Sequence, residues 1–376
     1  MSAPIIRGRV MNDLSVTVLA DASDATATPW AEWERDGYLH VFQTRAFALA
    51  WYRLAAPVQG YDVRLAVVAH RGKPCMLFPL AVRRRFGMRV AEFCGGLLCD
   101  YEAPVLAPDC PDISGQTMQR LWKSIIRACG AQVGHLRQVP HQIPGPCGMP
   151  PRANPLALLA LTPAGSSSAA LSEGQDGDAY ILGHVRKGIL QDSRRQRKRL
   201  AALGEVAWRV AADAEDAGRL TLAMVAQKRR RYAETGVFDI FSQSGTADFY
   251  VDLARRLHAD TAVPRAHVSV LEVAGAPVAV HWGLRFRGVF SYLMPSYEGG
   301  DWQRYSCGRL HLEELLRQTL GPDCPVFDFT VGAEGYKGDW CNSESPIGMA
   351  CTPVSCAGRL YAAMLSVKRA LAGGRQ

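Results

Sequence analysis

The feature of this sequence that most restricts its fold is a pattern of strands and turns that occurs twice. Three β-rich runs in the first half lie at 64–69, 75–82 and 88–97. Their counterparts in the second half lie at 267–273, 277–287 and 289–297. Each set has a similar first turn, Gly72-Lys-Pro74 or Gly275-Ala-Pro277, and a helical segment follows each set, near Ser114 or Gly308. Similarity at a spacing of about half the chain indicates duplicated domains, because a solenoid would need shorter periods.

The length of 376 residues also fits two domains, each large enough to bury its own core. Hydrophobic residues make up 48% of the chain and charged residues 21%, which is typical of globular proteins and excludes a disordered chain. Between the repeats the composition shifts to Pro, Gly and Ser. We therefore predict an α/β fold with a first domain over 1–145, a linker over 146–180 with a short strand near 156–161, and a second domain over 181–376.

Composition also limits the cellular setting. No apolar run approaches the roughly 18 to 20 residues that cross a bilayer, and the N-terminus lacks the apolar stretch of a signal peptide. We therefore expect a cytoplasmic protein without a transmembrane segment. The 11 cysteines form no C-x-x-C pair, so we expect them to be reduced and structural, with no metal site. The formal net charge of +8 indicates an anionic partner such as CoA, a nucleotide, tRNA or a phosphorylated lipid.

The first candidate site is a loop that opens into an amphipathic helix at 305–320. Free N–H groups and the positive end of the helix dipole bind anions at such a start. Gly308 would let a diphosphate approach the backbone, and Arg309 would add a full charge. An ordinary helix cap is the alternative, because most Ser-x-Gly sequences before a helix are only caps. The residues of this turn are Tyr305, Ser306, Cys307, Gly308, Arg309 and Leu310.

The second candidate site is a strand that runs into a glycine-rich loop at 326–340. Asp328 lies in the strand, on the face opposite to its aromatic neighbours. The loop supplies a carboxylate, a phenol and an amine from Glu334, Tyr336 and Lys337. These groups can serve as a base, an acid and an electrostatic clamp, and loops on rigid scaffolds often carry function. A packed surface loop without a catalytic role is the alternative. Together the two candidates place the working site at about 297–340.

Substrate-binding candidates lie in both halves. Asp100 and Tyr101 follow Gly95-Gly96 at the end of the first meander, where a bulged edge or a turn is the alternative. His281 lies on a strand beside Trp282, where a structural histidine is the alternative.

Two runs of basic residues are further candidates. The segment 184–200 holds seven basic residues, including Lys187, against a single Asp192, and would bind phosphates or form a solvated helix face. A shorter run at 228–231 is expected near a helix C-terminus, where cations favour the dipole. The sequence has no G-x-G-x-x-G, no Walker loop, no G-x-S-x-G and no H-E-x-x-H, which disfavours nucleotide hydrolysis, serine hydrolase and zinc protease chemistry.

Several short motifs, in this order and spacing, resemble the CelD-type (cellulose biosynthesis-associated) GNAT acetyltransferases, which are relatives of the FemAB transferases. The resemblance covers about 39–340. The motifs are Val41-Phe-Gln-Thr44, Phe78-Pro-Leu80, Cys99-Asp-Tyr101, Arg194 to Leu200 ending at Gly204, and Phe327-Asp-Phe329 with Gly332, Tyr336-Lys337 and Trp340. One departure is Ser306-Cys-Gly308, where relatives tend to have Ser-Pro-Gly.

This resemblance implies two tandem GNAT-like domains, with mixed, mainly antiparallel sheets flanked by helices. It also implies acetyl-CoA or another acyl-CoA as donor, and as acceptor an amine or hydroxyl of a sugar or cell-envelope (exopolysaccharide) precursor, in contact with polysaccharide biosynthesis machinery. The segment 305–310 resembles the donor-binding turn. Positions typical of the family are matched by Asp100, Tyr101, Asp328, Gly332, Tyr336 and Lys337.

The mechanism that we expect assigns Glu334 or Asp328 to proton removal from the acceptor, through water, and Tyr336 to protonation of the departing thiolate. Two alternatives stay open. A FemAB-like enzyme would take its aminoacyl group from tRNA and would bind the RNA through 186–199. A non-catalytic GNAT-like module would bind a partner in a polysaccharide synthesis complex.

Overall fold

The computed structural model describes residues 6–9, 13–21, 25–26, 28–259, 261, 263–332 and 334–373. The chain divides into two compact units. The first comprises Met1–Gly165 and Pro346–Gln376, and the second comprises Ser166–Ser345. No helix in the described ranges is long and apolar enough to cross a membrane. All 11 cysteines lie within these ranges and are free thiols.

The strands, numbered in chain order, are β1 (Ile6–Arg9), β2 (Leu14–Leu19), β3 (Asp62–His70), β4 (Lys73–Arg85), β5 (Met88–Phe93), β6 (Val105–Leu106), β7 (Val133–Pro140), β8 (Gln142–Ile143), β9 (Arg152–Ala153), β10 (Thr162–Leu171), β11 (Val206–Val210), β12 (Arg265–Val273), β13 (Ala276–Phe286), β14 (Val289–Tyr297), β15 (Val326–Val331) and β16 (Ser343–Pro353). The α-helices are α1 (Trp30–Asp36), α2 (Arg45–Leu54), α3 (Gly115–Ala128), α4 (Gly177–His184), α5 (Lys187–Ala201), α6 (Ala214–Thr235), α7 (Thr246–Arg256), α8 (Cys307–Thr319) and α9 (Cys356–Gly373).

The first unit is built on a sheet with strand order β1-β2-β3-β4-β5-β7-β16. Its neighbours are antiparallel except for β5 and β7, which run parallel because α3 carries the chain back between them. Helix α3 begins where the side chain of Ser114 accepts a hydrogen bond from the N–H of Thr117. Its predicted apolar face is confirmed, because the following side chains are all buried: Met118, Leu121, Trp122, Ile125 and Ile126.

The second unit follows the same plan, with strand order β11-β12-β13-β14-β15-β10. Strands β14 and β15 are parallel and are joined through α8, as β5 and β7 are joined through α3. The predicted buried face of α8 is also confirmed, by Leu312, Leu315, Leu316 and Leu320. In both units a three-stranded meander is followed by a helix and a parallel strand. The predicted α/β fold with two related halves is therefore confirmed.

The structure groups the ends of the repeats differently from the predicted boundaries. The Pro- and Gly-rich segment 146–180 contains β10 and the first half of α4. Within it, 156–161 is not a strand, because Pro155–Leu158 forms a 3-10 turn capped by the side chain of Asn154. At the other end of the chain, most of β16 and all of α9 belong to the first unit, and β16 pairs antiparallel with β7.

Candidate functional site

The parallel pair β14 and β15 opens part of the way along its length. The two strands are paired from Val289 and Val326 up to Ser291 and Asp328, and no pair follows, although both strands continue. Strand β14 also contains a bulge just beyond this point, since Leu293 has no partner of its own on β13. A bulge bends its strand and leaves backbone groups outside the ladder. The second unit therefore has a gap between two central strands, with unpaired backbone along one wall.

A cavity of about 660 Å³ lies at this gap, within the size range of small-molecule sites. It is lined from β14, α8, the loop that follows β15, and parts of α5 and α6. The lining residues are Arg186, Ile189, Arg231, Tyr292, Pro295, Tyr297, Gln303, Ser306, Cys307, Gly308, Arg309, Leu312, Tyr336, Asp339 and Trp340. Both segments that the sequence nominates, the helix start near Gly308 and the loop around Tyr336, thus contribute to one cavity.

The first turn of α8 forms one wall. Ser306 precedes the helix in the left-handed region, with φ 55°, and its side chain makes no capping hydrogen bond. Its carbonyl accepts from the N–H groups of Arg309 and Leu310. The N–H groups of Cys307 and Gly308 have no acceptor among the described residues. Such a helix start can bind an anion.

Gly308 is required by close packing. A Cβ atom at this position would lie 2.9 Å from the ring of Tyr297 on β14. Helix α8 therefore approaches β14 more closely than any other residue would allow. This close approach places the helix start directly beside the gap between the strands.

The other residues of the predicted turn have mixed surroundings. Arg309 lines the cavity and is ion-paired with Asp192 of α5, and this contact lowers the pKa of the Asp192 carboxyl. Leu310 is fully buried in the core below. Tyr305 is also buried, and guanidinium groups lie 5.0 Å (Arg199) and 5.1 Å (Arg304) from the centre of its ring.

Lys337 holds the loop after β15 in place. Its Nζ donates to the carbonyls of Val331 at 3.0 Å, Thr330 at 3.3 Å and Gly332 at 3.4 Å, and pairs with the Glu334 carboxylate at 2.9 Å. The Lys337 side chain is buried, whereas that of Glu334 is 55% exposed. The ammonium group thus stabilises the end of the strand, and the carboxylate beside it remains open to water.

Tyr336 is the member of the predicted catalytic set that lines the cavity. Burial, with the Glu334 carboxylate as a second cause, raises the pKa of its phenol, so the hydroxyl stays protonated at neutral pH. Asp328 lies deeper, at the last paired position of β15. Its Oδ1 accepts a 2.8 Å hydrogen bond from the N–H of Thr330, which has a positive φ of 56°. Asp328 therefore fixes the bend at which β15 leaves β14.

His281 lies one layer behind the cavity. It is fully buried on β13 and stacks on Tyr292 at a centroid distance of 4.5 Å with an interplanar angle of 6°. Neither ring nitrogen has a hydrogen-bond partner among the described residues. Burial, aided by neighbouring positive groups, holds the pKa of His281 well below its usual value. The imidazole is neutral, and the ring of Tyr292, on which it stacks, separates it from the cavity.

The remaining predicted substrate residues are not part of this lining. Asp100 and Tyr101 belong to the first unit, where Tyr101 is buried against the rings of His40 and Phe42. Lys187 is exposed at the start of α5, next to Arg186, which does line the cavity.

Sequence reasoning included three groups of residues only within wider segments and did not predict their contacts. Arg186 pairs with Asp339 at 2.6 Å, an ion pair that joins α5 to the loop and that no local pattern predicts. The aromatic residues Tyr292, Tyr297 and Trp340 look like ordinary strand and core residues in sequence. The third group is the basic run 228–231.

The basic run 228–231 lies inside a helix rather than at its end, because α6 continues to Thr235. Its interpretation as a C-terminal dipole partner is therefore wrong. Arg231 lines the cavity. Burial lowers the pKa of Lys228 to about 8, with the Glu334 carboxylate acting in the opposite direction. Lys228 is a lysine that can lose its proton near neutral pH, a property that the sequence does not reveal.

One segment of the chain matches a known protein family. Residues 187–338 match the family described as "Acetyltransferase (GNAT) domain", so this part of the chain is similar to acetyltransferase domains of the GNAT type. The match covers less than half of the chain. The prediction of an acyltransferase enzyme is confirmed at this level, whereas the CelD-type family is not. No curated protein matches the sequence.

Solved structures support the tandem architecture. FemX matches with a TM-score of 0.54 and 9% identity over 91% of this chain and 96% of that chain. A conserved protein of unknown function from Bacteroides thetaiotaomicron matches with a TM-score of 0.52 and 12% identity, covering 88% and 97%. A tandem GNAT protein from the clavulanic acid biosynthesis pathway matches with a TM-score of 0.50 and 12% identity, covering 91% and 99%. At these identities the likeness concerns the fold alone.

Proposed function

We propose that this chain transfers an acetyl or other acyl group from acyl-CoA to an amine or hydroxyl of a sugar or cell-envelope precursor. The observation that carries the proposal is that the uncapped start of α8 and the gap between β14 and β15 open into the same cavity. A thioester donor needs an anion site for its diphosphate and a channel for its acyl arm. The cavity offers both next to each other.

The diphosphate would bind to the N–H groups of Cys307 and Gly308. Backbone donors at a helix start bind phosphate without the desolvation cost of a buried ammonium group. Arg309 would add charge from the side, in competition with its partner Asp192. The pantetheine arm would then run along the open edge of β14, and the thioester carbonyl would accept a hydrogen bond from a free N–H at the Leu293 bulge.

The reaction would form one bond and break another at the thioester carbon. The acceptor nitrogen or oxygen attacks the carbonyl carbon, its proton passes through water to a base, and the carbon–sulfur bond breaks. Tyr336 would donate its proton to the departing thiolate, because its phenol is protonated and lines the cavity. Glu334 fits the base better than Asp328, since its carboxylate is exposed to water while Asp328 is bound to Thr330.

A sugar-like acceptor is supported by the family resemblance and by the character of the walls. The lining is rich in aromatic side chains, whose flat apolar faces suit the apolar face of a sugar ring: Tyr292, Tyr297, Tyr336 and Trp340.

Calorimetric titration with acetyl-CoA and with CoA tests the donor. We expect saturable binding by the wild type and its loss in Gly308→Trp, because a side chain there collides with Tyr297 and fills the cavity. Gly321→Trp is the matched control, since a Cβ at Gly321 meets no atom within 4 Å. No binding by folded wild type would reject acetyl-CoA as donor, and equal binding by both variants would reject the site.

Substitution of the carboxylates tests the base. We expect Glu334→Gln to reduce turnover and Asp328→Asn to reduce it less, with CoA binding retained in both. If both variants turn over at the wild-type rate, the assignment of a carboxylate base is wrong.

One observation favours an aminoacyl-tRNA donor as the second candidate. Four cations of α5 are exposed and have no ion pair among the described residues: Lys187, Arg194, Lys198 and Arg199. A FemAB-like enzyme would bind RNA phosphates there, with affinity that falls steeply as salt rises. Binding of tRNA that is weakened by Arg194→Glu and Lys198→Glu would favour this donor. If neither CoA thioesters nor tRNA bind, a non-catalytic binding module becomes the better proposal.

A further inference from the structure

Helix α9 packs closely against the strands of the first unit. Its Tyr361 is buried in a cluster with Met88, Val90 and Val133 of strands β5 and β7. The helix lies so close to the loop before β7 that a Cβ at Gly358 would collide with the carbonyl of Gln132. One side of α9 is therefore fixed against the unit, and the opposite side faces outward.

An exposed flank of α9, adjacent to its buried side, carries an apolar stripe. Leu360 is 61% exposed, Met364 43% and Val367 60%. Their spacing of four and three residues puts them on one face of the helix. Single exposed apolar residues are common, but three in a row on the uncovered side of a helix form a surface that water does not favour.

The turn between β4 and β5 adds an aromatic residue next to this helix. Phe86 at its tip is 77% exposed, with a φ of 49°. Met88, which pairs with Arg85 at the base of this turn, packs in the same cluster as Tyr361. The tip and α9 are therefore neighbours. We call Phe86 together with Leu360, Met364 and Val367 the apolar face.

The segments that carry the apolar face are strongly basic. The stretch 346–376 contains four basic residues and no acidic one, and 80–91 contains four arginines and no acidic residue. Together they hold as many positive charges as the formal net charge of +8. Arg84 and Arg359 are exposed and have no ion pair among the described residues.

The other arginines near the tip have partners. Arg83 and Arg85 pair with buried Glu92 at 3.2 and 3.7 Å, and Arg89 pairs with Asp62 at 3.1 Å. The unpaired charge therefore belongs to the surface that also carries the apolar stripe.

We propose that the apolar face docks on the surface of an anionic lipid bilayer. A helix with one apolar side and nearby cations binds at the boundary between headgroups and acyl chains, where both contributions add. Each cation close to an anionic membrane strengthens binding by about fivefold. A second copy of the chain fits less well, because two such faces would bring positive charges together.

Flotation of the full-length protein with vesicles tests the proposal. We expect binding to mixed phosphatidylcholine and phosphatidylglycerol vesicles, weak binding to phosphatidylcholine alone, and weakening by salt. Leu360→Gln combined with Met364→Gln and Val367→Gln should weaken binding at least about tenfold, because the stripe no longer enters the bilayer. Leu222→Gln combined with Leu203→Gln is the matched control, as these side chains are 53% and 49% exposed in the second unit.

Three results would overturn the proposal. The first is no binding of the folded wild type to anionic vesicles. The second is equal binding by the triple variant. The third is a dimer in analytical ultracentrifugation that the triple variant abolishes, because the face would then be covered by a second copy. If the triple variant does not fold, Arg84→Glu with Arg359→Glu replaces it, and unchanged binding by that variant rejects the proposal.

Discussion

At the scale of single residues, two ionisable side chains of the second unit have shifted pKa values: Tyr336, which lines the cavity, and Lys228 on α6. Burial acts on both in the direction of the neutral form, so it raises the pKa of the phenol and lowers that of the amine. A protonated phenol is the form that a general acid requires.

Removal of the Tyr336 hydroxyl should separate binding from chemistry. We expect Tyr336→Phe to lower kcat by about 10² to 10⁴ fold, the contribution of a general acid, while the Kd for CoA stays within about twofold. Steady-state kinetics and calorimetry on the same preparation measure both quantities. Tyr232→Phe on α6 is the control, since Tyr232 does not line the cavity. A Tyr336→Phe enzyme with wild-type kcat would exclude a phenol acid.

Lys228 should make stability depend on pH. Its pKa is about 8 in the folded protein and near its ordinary value of 10.5 in the unfolded chain, so between these values the unfolded state binds more protons. The free energy of unfolding should therefore rise with pH from about 8 to 10, by at most about 1.4 kcal/mol per pH unit from this group. Urea unfolding of wild type and Lys228→Met across this range isolates the effect.

The matched control for Lys228 is Lys198→Met, because Lys198 is exposed on α5. The difference in the free energy of unfolding between Lys198→Met and wild type should stay constant with pH. If the difference between wild type and Lys228→Met is also constant from pH 8 to 10, the amine is not desolvated as the structure indicates.

The sequence revealed some of these residues and concealed others for a physical reason. Gly308 stands at a helix start and Tyr336 in a loop, both in segments of unusual composition, where a glycine or a polar aromatic residue has few structural explanations. Tyr292 and Lys228 lie in a regular strand and a regular helix, where the same letters occur in any core or solvated face. Their roles depend on which face of the strand or helix is turned toward the gap between β14 and β15. Tertiary packing determines that face.

At the scale of elements, α5 and α8 are tied together at the donor wall by the ion pair between Asp192 and Arg309. Asp192 also pairs with Arg195 and thus reduces the positive charge beside the helix start. A phosphate that binds there must compete with this carboxylate.

Asp192→Asn should therefore strengthen the binding of CoA. We expect a gain of up to about fivefold at low salt, corresponding to the roughly 1 kcal/mol of a partly exposed charge pair, and a smaller gain at high salt. Titration with CoA at two salt concentrations measures this gain in affinity. Asp252→Asn on α7 is the control for a change of net charge. Weaker binding by Asp192→Asn would mean that Asp192 positions Arg309 rather than competes for it.

Helices with a strong apolar period were the elements that the sequence predicted best. The buried faces of α3 and α8 agree with the predicted ones because apolar residues recur in the local sequence with the 3.6-residue period of a helix. Strand β10 was not predicted, because its segment is rich in Gly, Ser and Ala, which have low strand propensity. It forms because β15 offers a ladder for it, which is a property of the partner strand.

At the scale of the whole molecule, each unit completes its sheet with a strand from outside its own repeat. Beside β15 lies β10, which precedes the second meander, and beside β7 lies β16, which follows it. The repeat was visible in the sequence because meander turns are local. The closing strands were not, because pairing between residues about 200 positions apart leaves no local trace.

Deletion of the C-terminal segment should therefore damage the first unit. A chain that ends at Ser345 lacks most of β16 and all of α9, so β7 becomes an edge and the cluster around Val133 opens. We expect hydrogen exchange to accelerate by at least about tenfold in β5 and β7. Strands β12 and β13 of the second unit are the internal reference, and uniform acceleration in both units would show that they unfold together.

The position of β16 has a consequence for synthesis on the ribosome. The meander and helix of the first unit emerge early, but their sheet cannot close until Ser166–Ser345 has been translated and β16 has followed it. At ordinary elongation rates this delay is on the order of 10 to 40 s. During that time β7 presents an open backbone edge, so the nascent first unit is the part of this polypeptide that most needs protection by a chaperone.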